Sequence, residues 1–244
     1  MMEGSPLWLY GTHTVLTALK NPRRHVVRVV ALVPWEKLPY REILVPYRTL
    51  FDVRDKAWFT RLFGAEEVHQ GLCAQVLSLE NPSFEDLLVM SGTTRLIALD
   101  QLTDPQNIGS LLRSAAAFGV AAVLTPTHGG PALTPALSKC ACGALEHVAF
   151  LIVPNLAQAL ARLKKAGYWC LGMTTEGAHL FSDLPKLEKT VLVVGGESAG
   201  LRSLTRKHCD FLVRLPTVAH FPVLNAAQSA TIGCYALGTQ EGRT

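Results

Sequence analysis

From Leu96 to the end of the chain, short apolar runs alternate with stretches of helical periodicity, and this alternation restricts the fold more than any other feature. Leu96–Leu99, Val120–Leu124, Val148–Val153, Tyr168–Met173, Val191–Val194 and Phe211–Leu215 read as strands. Between them, Pro131–Cys142 reads as a short helix, Leu156–Lys165 as an amphipathic helix closed by Gly167, and Leu224–Leu237 as a terminal helix. Val191–Val194 is apolar without interruption, as expected of a strand buried on both faces. Five or six strands alternating with helices imply an α/β fold with a mostly parallel sheet covered on both sides. In such a sheet a ligand meets the carboxyl ends of the strands.

The first strand–helix unit carries the most information. Arg95–Leu99 ends in Asp100, and a polar turn with Asp104-Pro105 follows. Ile108, Leu111, Leu112 and Ala115 then recur at helical spacing, and Gly119 closes the segment. Asn107 stands where an N-cap belongs, and Arg113 falls two turns in, away from the apolar stripe. The plain reading makes these a cap and a solvated charge; the functional one puts both at a ligand site. No G-x-G-x-x-G follows the first strand of this region, which argues against a dinucleotide-binding enzyme. Further on, the Val191–Val194 run enters Gly195-Gly196, where a ligand can approach backbone with no Cβ in the way. Glu197 then reads as an early helix acid favoured by the helix dipole or as a site residue. Asn225 has the same two readings, a cap for the last helix or a site residue.

Before this region, residues 6–20 read as a Tyr-Gly turn leading into a short helix, and Val26–Val33 and Gly71–Leu79 as strands. Pro, Ser, Gly and acidic residues mark 80–93 as a linker. The expected division is therefore 1–79, a linker 80–93, and 94–244. Nearly half of the 244 residues are hydrophobic, enough for a sizeable core. The net charge of +4 is spread evenly, with ten Lys/Arg against eight Asp/Glu in residues 1–80 and thirteen against eleven in the rest. Charge thus permits a nucleic-acid partner without arguing for one. Six cysteines include no C-x-x-C pair, and Cys140-x-Cys142 has the wrong spacing for a zinc clip, so no metal is expected. No apolar run reaches membrane-spanning length, and a cytoplasmic location is the expectation.

Three groups of residues, in order, carry a resemblance. They are Asn107-x-Gly109-x-x-x-Arg113 after Asp104-Pro105, Gly195-x-Glu197-x-x-Gly200-Leu201, and Leu215-Pro216 followed by Leu224-Asn225. Together they resemble the motifs of the SpoU (TrmH-like) branch of the SPOUT RNA methyltransferases, closest to its bacterial 23S rRNA guanosine-2′-O-methyltransferases. Tyr10-Gly11-Thr12-His13-Thr14-Val15 and His69-Gln70-Gly71 resemble the two ends of the family's N-terminal RNA-binding module, so the likeness spans nearly the whole chain. It implies a small ribosomal-protein-like α/β domain followed by an α/β domain tied in a trefoil knot. It also implies S-adenosyl-L-methionine as cofactor, rRNA (23S) as substrate, and a homodimer with Arg113 of one chain near the cofactor of the other. By the same likeness Gly195, Leu215 and Leu224 hold the cofactor, Glu197 orients site residues or RNA, and Asn107, Arg113 and Asn225 serve the reaction. An arginine is protonated at ordinary pH, so Arg113 is read as stabilising developing negative charge and the adjoining phosphate. The sequence departs from the family at Ala219 (usually Gly), at Val223 and Ala227 (usually Ser), and at Cys142, where Ser-Gly-Ala is usual. The lost hydroxyls motivate a second reading, a catalytically weak RNA-binding or ribosome-assembly protein on the same scaffold.

Overall fold

A computed structural model describes residues 6–196 and 200–239. The chain divides into two compact units, one made of residues 1–80 together with 133–146, the other of 81–132 together with 147–244.

In the first unit the elements are β1 (Pro6–Tyr10), α1 (Thr12–Lys20), β2 (Val26–Ala31), α2 (Arg41–Leu44), β3 (Phe51–Val53), α3 (Lys56–Phe63) and β4 (Leu72–Leu77). The sheet order is β1-β4-β2-β3, antiparallel except for the β2–β3 pair. One face packs on α1 through Leu9, Val15, Ala18, Val29 and Val76. The other carries Tyr10, Val30 and Cys73 against Phe59 of α3. The stretch read as a turn before the first helix is therefore a strand. Both of its faces are covered, so PLWLY lacks the alternation that marks a half-exposed strand. The two sequence bookends meet here. Gly11 N donates to Leu72 O (3.1 Å) and Thr12 N to Gln70 Oε1 (2.7 Å), while His69 stacks on Phe59.

Residues 133–146 belong to this first unit. Between residue 80 and this stretch lie α4 (Phe84–Val89), β5 (Thr94–Asp100), α5 (Pro105–Ala117) and β6 (Ala122–Pro126) of the second unit; α6 (Pro135–Cys140) then packs on β1. Glu146 is buried, with its carboxylate gripped by Arg24 Nη2 (2.5 Å), Arg24 Nε (3.1 Å) and Asn21 Nδ2 (2.8 Å).

The second unit continues with β7 (Ala149–Val153), α7 (Leu156–Lys165), β8 (Trp169–Met173), β9 (His179–Leu180), β10 (Lys189–Gly195), α8 (Ser203–Lys207), β11 (Phe211–Arg214) and α9 (Ala226–Thr239). Its seven strands are all parallel, in the order β7-β6-β5-β10-β8-β11-β9. After β5 the chain builds outward through β6 and β7, returns to lay down β8, and only then fills the slot between β5 and β8 with β10. The direction of winding thus changes beside β5, the kind of switch point at which α/β sheets bind ligands. Residues 80–93 are not a bare connection. Ser83 and Asp86 form a capping box, α4 follows, and its Leu87 joins the core of this unit with its carbonyl accepting from Tyr168 Oη (2.7 Å). No helix among the described residues is long and apolar enough to cross a membrane.

Candidate active site

The site is assembled at the carboxyl ends of β5, β10 and β11. Gly195 pairs with Asp100 as the last residues of neighbouring parallel strands. The chain leaves β5 into α5, and the long loop after β11 leads into α9, which packs on both α5 and β10. Helix and loop starts are therefore gathered where the sheet's winding reverses.

Asp104, not Asn107, is the N-cap of α5. Its carboxylate accepts from Gln106 N (3.1 Å) and Asn107 N (3.3 Å), and Pro105 occupies the first turn. Proline's fixed φ and missing N–H suit the first helical position, so Asp-Pro starts the helix three residues earlier than expected. This frees the Asn107 side chain for a tertiary role. Its Oδ1 accepts from Asn225 Nδ2 at 2.8 Å, while Asn225 Oδ1 caps α9 by accepting from Ala227 N (2.9 Å) and Gln228 N (3.3 Å). Two residues 118 apart in sequence thus tie the starts of two helices together. Lower down, Ser114 Oγ and Thr231 Oγ1 lie 2.7 Å apart and Phe118 meets Tyr235 edge-on.

Arg113 sits on the exposed face of α5 and makes no side-chain hydrogen bond or ion pair among the described residues. Its guanidinium is accordingly available to an anion. Leu215 and Leu224 are half-buried at the two ends of the loop between β11 and α9, and residues 216–223 between them are exposed. Val223 is 61% exposed, whereas Ala227 is buried beneath the α9 cap. Glu197 lies outside the described residues.

Two features were not singled out from the sequence. Asp100, fully buried, accepts from Arg202 N (2.8 Å) and Arg202 Nε (2.6 Å), clamping the return of the loop that leaves β10. Beside it, Gln101 has φ +62, a region that costs a side-chain-bearing residue about 1–3 kcal/mol and clusters at functional sites. Its carbonyl faces Gly196, where a Cβ would come within 2.6 Å, and a Cβ on Gly195 would lie 2.3 Å from Gly200 C. Gly196 N also donates to Asp100 O (2.9 Å). The glycines are thus required by backbone packed on backbone. Asp100 at the end of an apolar run was the visible signal; its partner, 102 residues away, leaves no periodic trace.

Comparison with known proteins adds the decisive observation. Residues 94–235 match the model of the SpoU rRNA Methylase family, and residues 8–82 match that of an RNA 2′-O ribose methyltransferase substrate-binding domain. The chain belongs to the SpoU methylase family. Among SpoU relatives, the Pseudomonas aeruginosa 23S rRNA (guanosine-2′-O-)-methyltransferase RlmB is 37% identical over 228 residues, 90% of each chain. The Vibrio vulnificus RlmB is 33% identical over 237 residues, covering 92% of this chain and 93% of its own. In fold, the chain is similar to the SpoU methyltransferase AviRb of Streptomyces viridochromogenes, solved in complex with the cofactor AdoMet. The TM-score is 0.81 at 22% identity, over 98% of this chain and 91% of AviRb.

Proposed function

We propose that this chain transfers a methyl group from S-adenosylmethionine to the ribose 2′-oxygen of a guanosine in 23S rRNA. The observation that carries the proposal is the Asn225–Asn107 hydrogen bond at the switch point of the sheet. It joins the first and third motifs of a SpoU methylase in a chain that matches two rRNA guanosine methyltransferases along nearly its whole length. A nucleoside cofactor fits the residues present. The half-buried Leu215 and Leu224 flank the loop that leads into α9 as apolar walls for a flat adenine. Bound S-adenosylmethionine supplies the electrophilic methyl group. The protein's own work is then to hold the ribose in line and to stabilise charge at the 2′-oxygen. The Arg113 guanidinium, which has no partner among the described residues, is suited to the second task, because it can donate charge-assisted hydrogen bonds to the oxygen and to the adjoining phosphate. Asn107 and Asn225 fix the helix starts that frame it.

The same reading makes the protein a cytoplasmic homodimer, with a trefoil knot formed as the final segment passes to α9 and Arg113 reaching the partner's cofactor. The exposed Ile232 and Tyr235 on α9 offer apolar surface for such an interface. Light scattering is expected to give about twice the chain mass of 26.5 kDa; a monomer that methylates RNA overturns the shared site. The activity is tested by transfer of labelled methyl to unmodified 23S rRNA, with 2′-O-methyl positions mapped afterwards. Arg113→Ala is expected to keep cofactor affinity and lose most turnover, and Arg113→Lys to rescue only in part, since a point charge lacks the planar fork. Near-normal turnover by Arg113→Ala returns that residue to a surface charge. Wild-type cofactor binding with no transfer to free rRNA or to ribosomal precursors favours the RNA-binding reading.

A further inference from the structure

The four-stranded sheet of the first unit is covered unevenly by α3. The row Tyr10–Cys73–Val30 across β1, β4 and β2 is sealed under Phe59. Two residues along each strand, on the same face, the next row is Trp8–Gln75–Arg28, and all three side chains are half-exposed. Trp8 is met edge-on by Trp58 (5.6 Å, 73°) and by Phe63 (6.3 Å, 85°), so neither ring stacks upon it. Gln75 makes no side-chain hydrogen bond among the described residues, leaving an amide donor and acceptor side by side. Arg28 is paired with Asp52, and Arg54 Nη2 shares the same carboxylate oxygen at 2.9 Å. Partial burial opposes ionisation of Asp52, but the Arg28 hydrogen bond and the two guanidiniums hold its carboxyl below the usual range. Two positive charges against one negative leave a surplus of +1 at the far end of the row from the indole.

We propose that this half-covered row is a platform for one unpaired nucleotide of the RNA substrate, with the base on Trp8, its edge read by Gln75 and its phosphate held by Arg28 and Arg54. The proposal rests on the RNA-methylating reading above and adds where a single-stranded part of that substrate is gripped. An indole, a free amide and a surplus cation in one cross-strand row form the combination by which proteins take unstacked bases. A protein partner would have no use for the pairing of a base-edge amide with a phosphate-seeking charge. A duplex would hide the base faces that Trp8 needs.

The test measures methyl transfer to a 23S rRNA transcript by wild type, Trp8→Ala, Trp8→Phe and Gln75→Leu, with cofactor affinity followed by calorimetry. Loss of one stacked base is expected to raise the KM for RNA about tenfold or more in Trp8→Ala. Turnover at saturating RNA and cofactor affinity should stay unchanged. Trp8→Phe should recover most of the loss, and Gln75→Leu should raise KM a few-fold. Wild-type KM in Trp8→Ala overturns the platform, as does an equal fall of kcat in both Trp8 variants, which would mean mere packing. If wild type transfers no methyl, the functional reading fails by itself. The platform is then judged by anisotropy of a labelled single-stranded oligonucleotide and its duplex. It stands if Trp8→Ala weakens the single strand alone, and falls if it weakens both or neither.

Discussion

Asp100 shows how much one buried carboxylate can organise. It sits at the end of β5, beside Gly195, and both of its oxygens are taken by Arg202, one through the backbone amide and one through the guanidinium. Asp100→Asn keeps the shape but withdraws the charge and one acceptor. Hydrogen bonds to charged groups are worth about 1.5–3 kcal/mol, so the substitution should release the loop between β10 and α8. Calorimetry is expected to show a fall in S-adenosylmethionine affinity larger than the loss of global stability; unchanged affinity would make the clamp purely structural. The cysteines give a second residue-scale expectation. Burial pushes the thiols of Cys73, Cys209 and Cys234 up to about 12 and that of Cys170 higher still, so at pH 8 almost none of them is thiolate. Cys142 is exposed. Iodoacetamide at pH 8 should therefore label Cys142 first, with the buried Cys73, Cys170 and Cys234 reacting only after unfolding, as peptide mass spectrometry would show. At this scale the sequence was most legible where a motif is local. Asn107 and Asn225, which a hydrogen bond joins, each stand in a local motif, but the Asp100–Arg202 pair does not, because only the fold brings its members together.

The helix α9 is held at both ends. Asn225 caps its start, and at its far end the buried Arg95, from the opening of β5, donates to Leu237 O (3.2 Å). A cation among the last carbonyls of a helix satisfies groups that would otherwise lack partners. Arg95→Met preserves the aliphatic stem and removes that bond. It is expected to lower stability by about 1.5–3 kcal/mol, seen as a lower urea midpoint with an unchanged slope. Wild-type stability would mean that packing on α5 suffices. Among the elements, α5, α7 and the parallel strands were legible because each has one face or two faces of consistent polarity. Three were not. β1 lacked alternation because α1 and α3 cover both sides of it; β9 spans only two residues; and α4 was masked by a polar linker composition, although its Ser83-x-x-Asp86 box stood in the sequence. The Asp104-Pro105 start of α5 was equally visible and outweighs the asparagine three residues on.

At the scale of the molecule, the division of the chain is not a single cut. The stretch 133–146 lies between two strands of the methylase region, yet it completes the first unit. Leu137 and Ala141 are fully buried there, and Glu146 is closed in by Arg24 and Asn21. Removing one member of a buried ion pair costs about 3–5 kcal/mol, so Glu146→Ala should lower the stability of the full chain by that order in urea titration. A fragment from residue 94 onward retains the parallel sheet and is expected to bind S-adenosylmethionine, but it strips this stretch of its partners. Trypsin should cut after Lys139 rapidly in the fragment and slowly in the full chain. Equal rates would show that 133–146 is ordered without the first unit.

The slot that β10 fills also has a history during synthesis. β5 and β8 are its two walls, and each must keep a hydrogen-bonding edge unpaired until residues 189–195 have been made. At about 5–20 residues per second, the interval between completing β8 and completing β10 is about one to four seconds. Throughout it, the unpaired backbone edges of two strands with apolar side chains lie open in a half-built sheet, an invitation to pairing with the wrong strand. The nascent chain is thus most exposed to mispairing between the synthesis of β8 and that of β10.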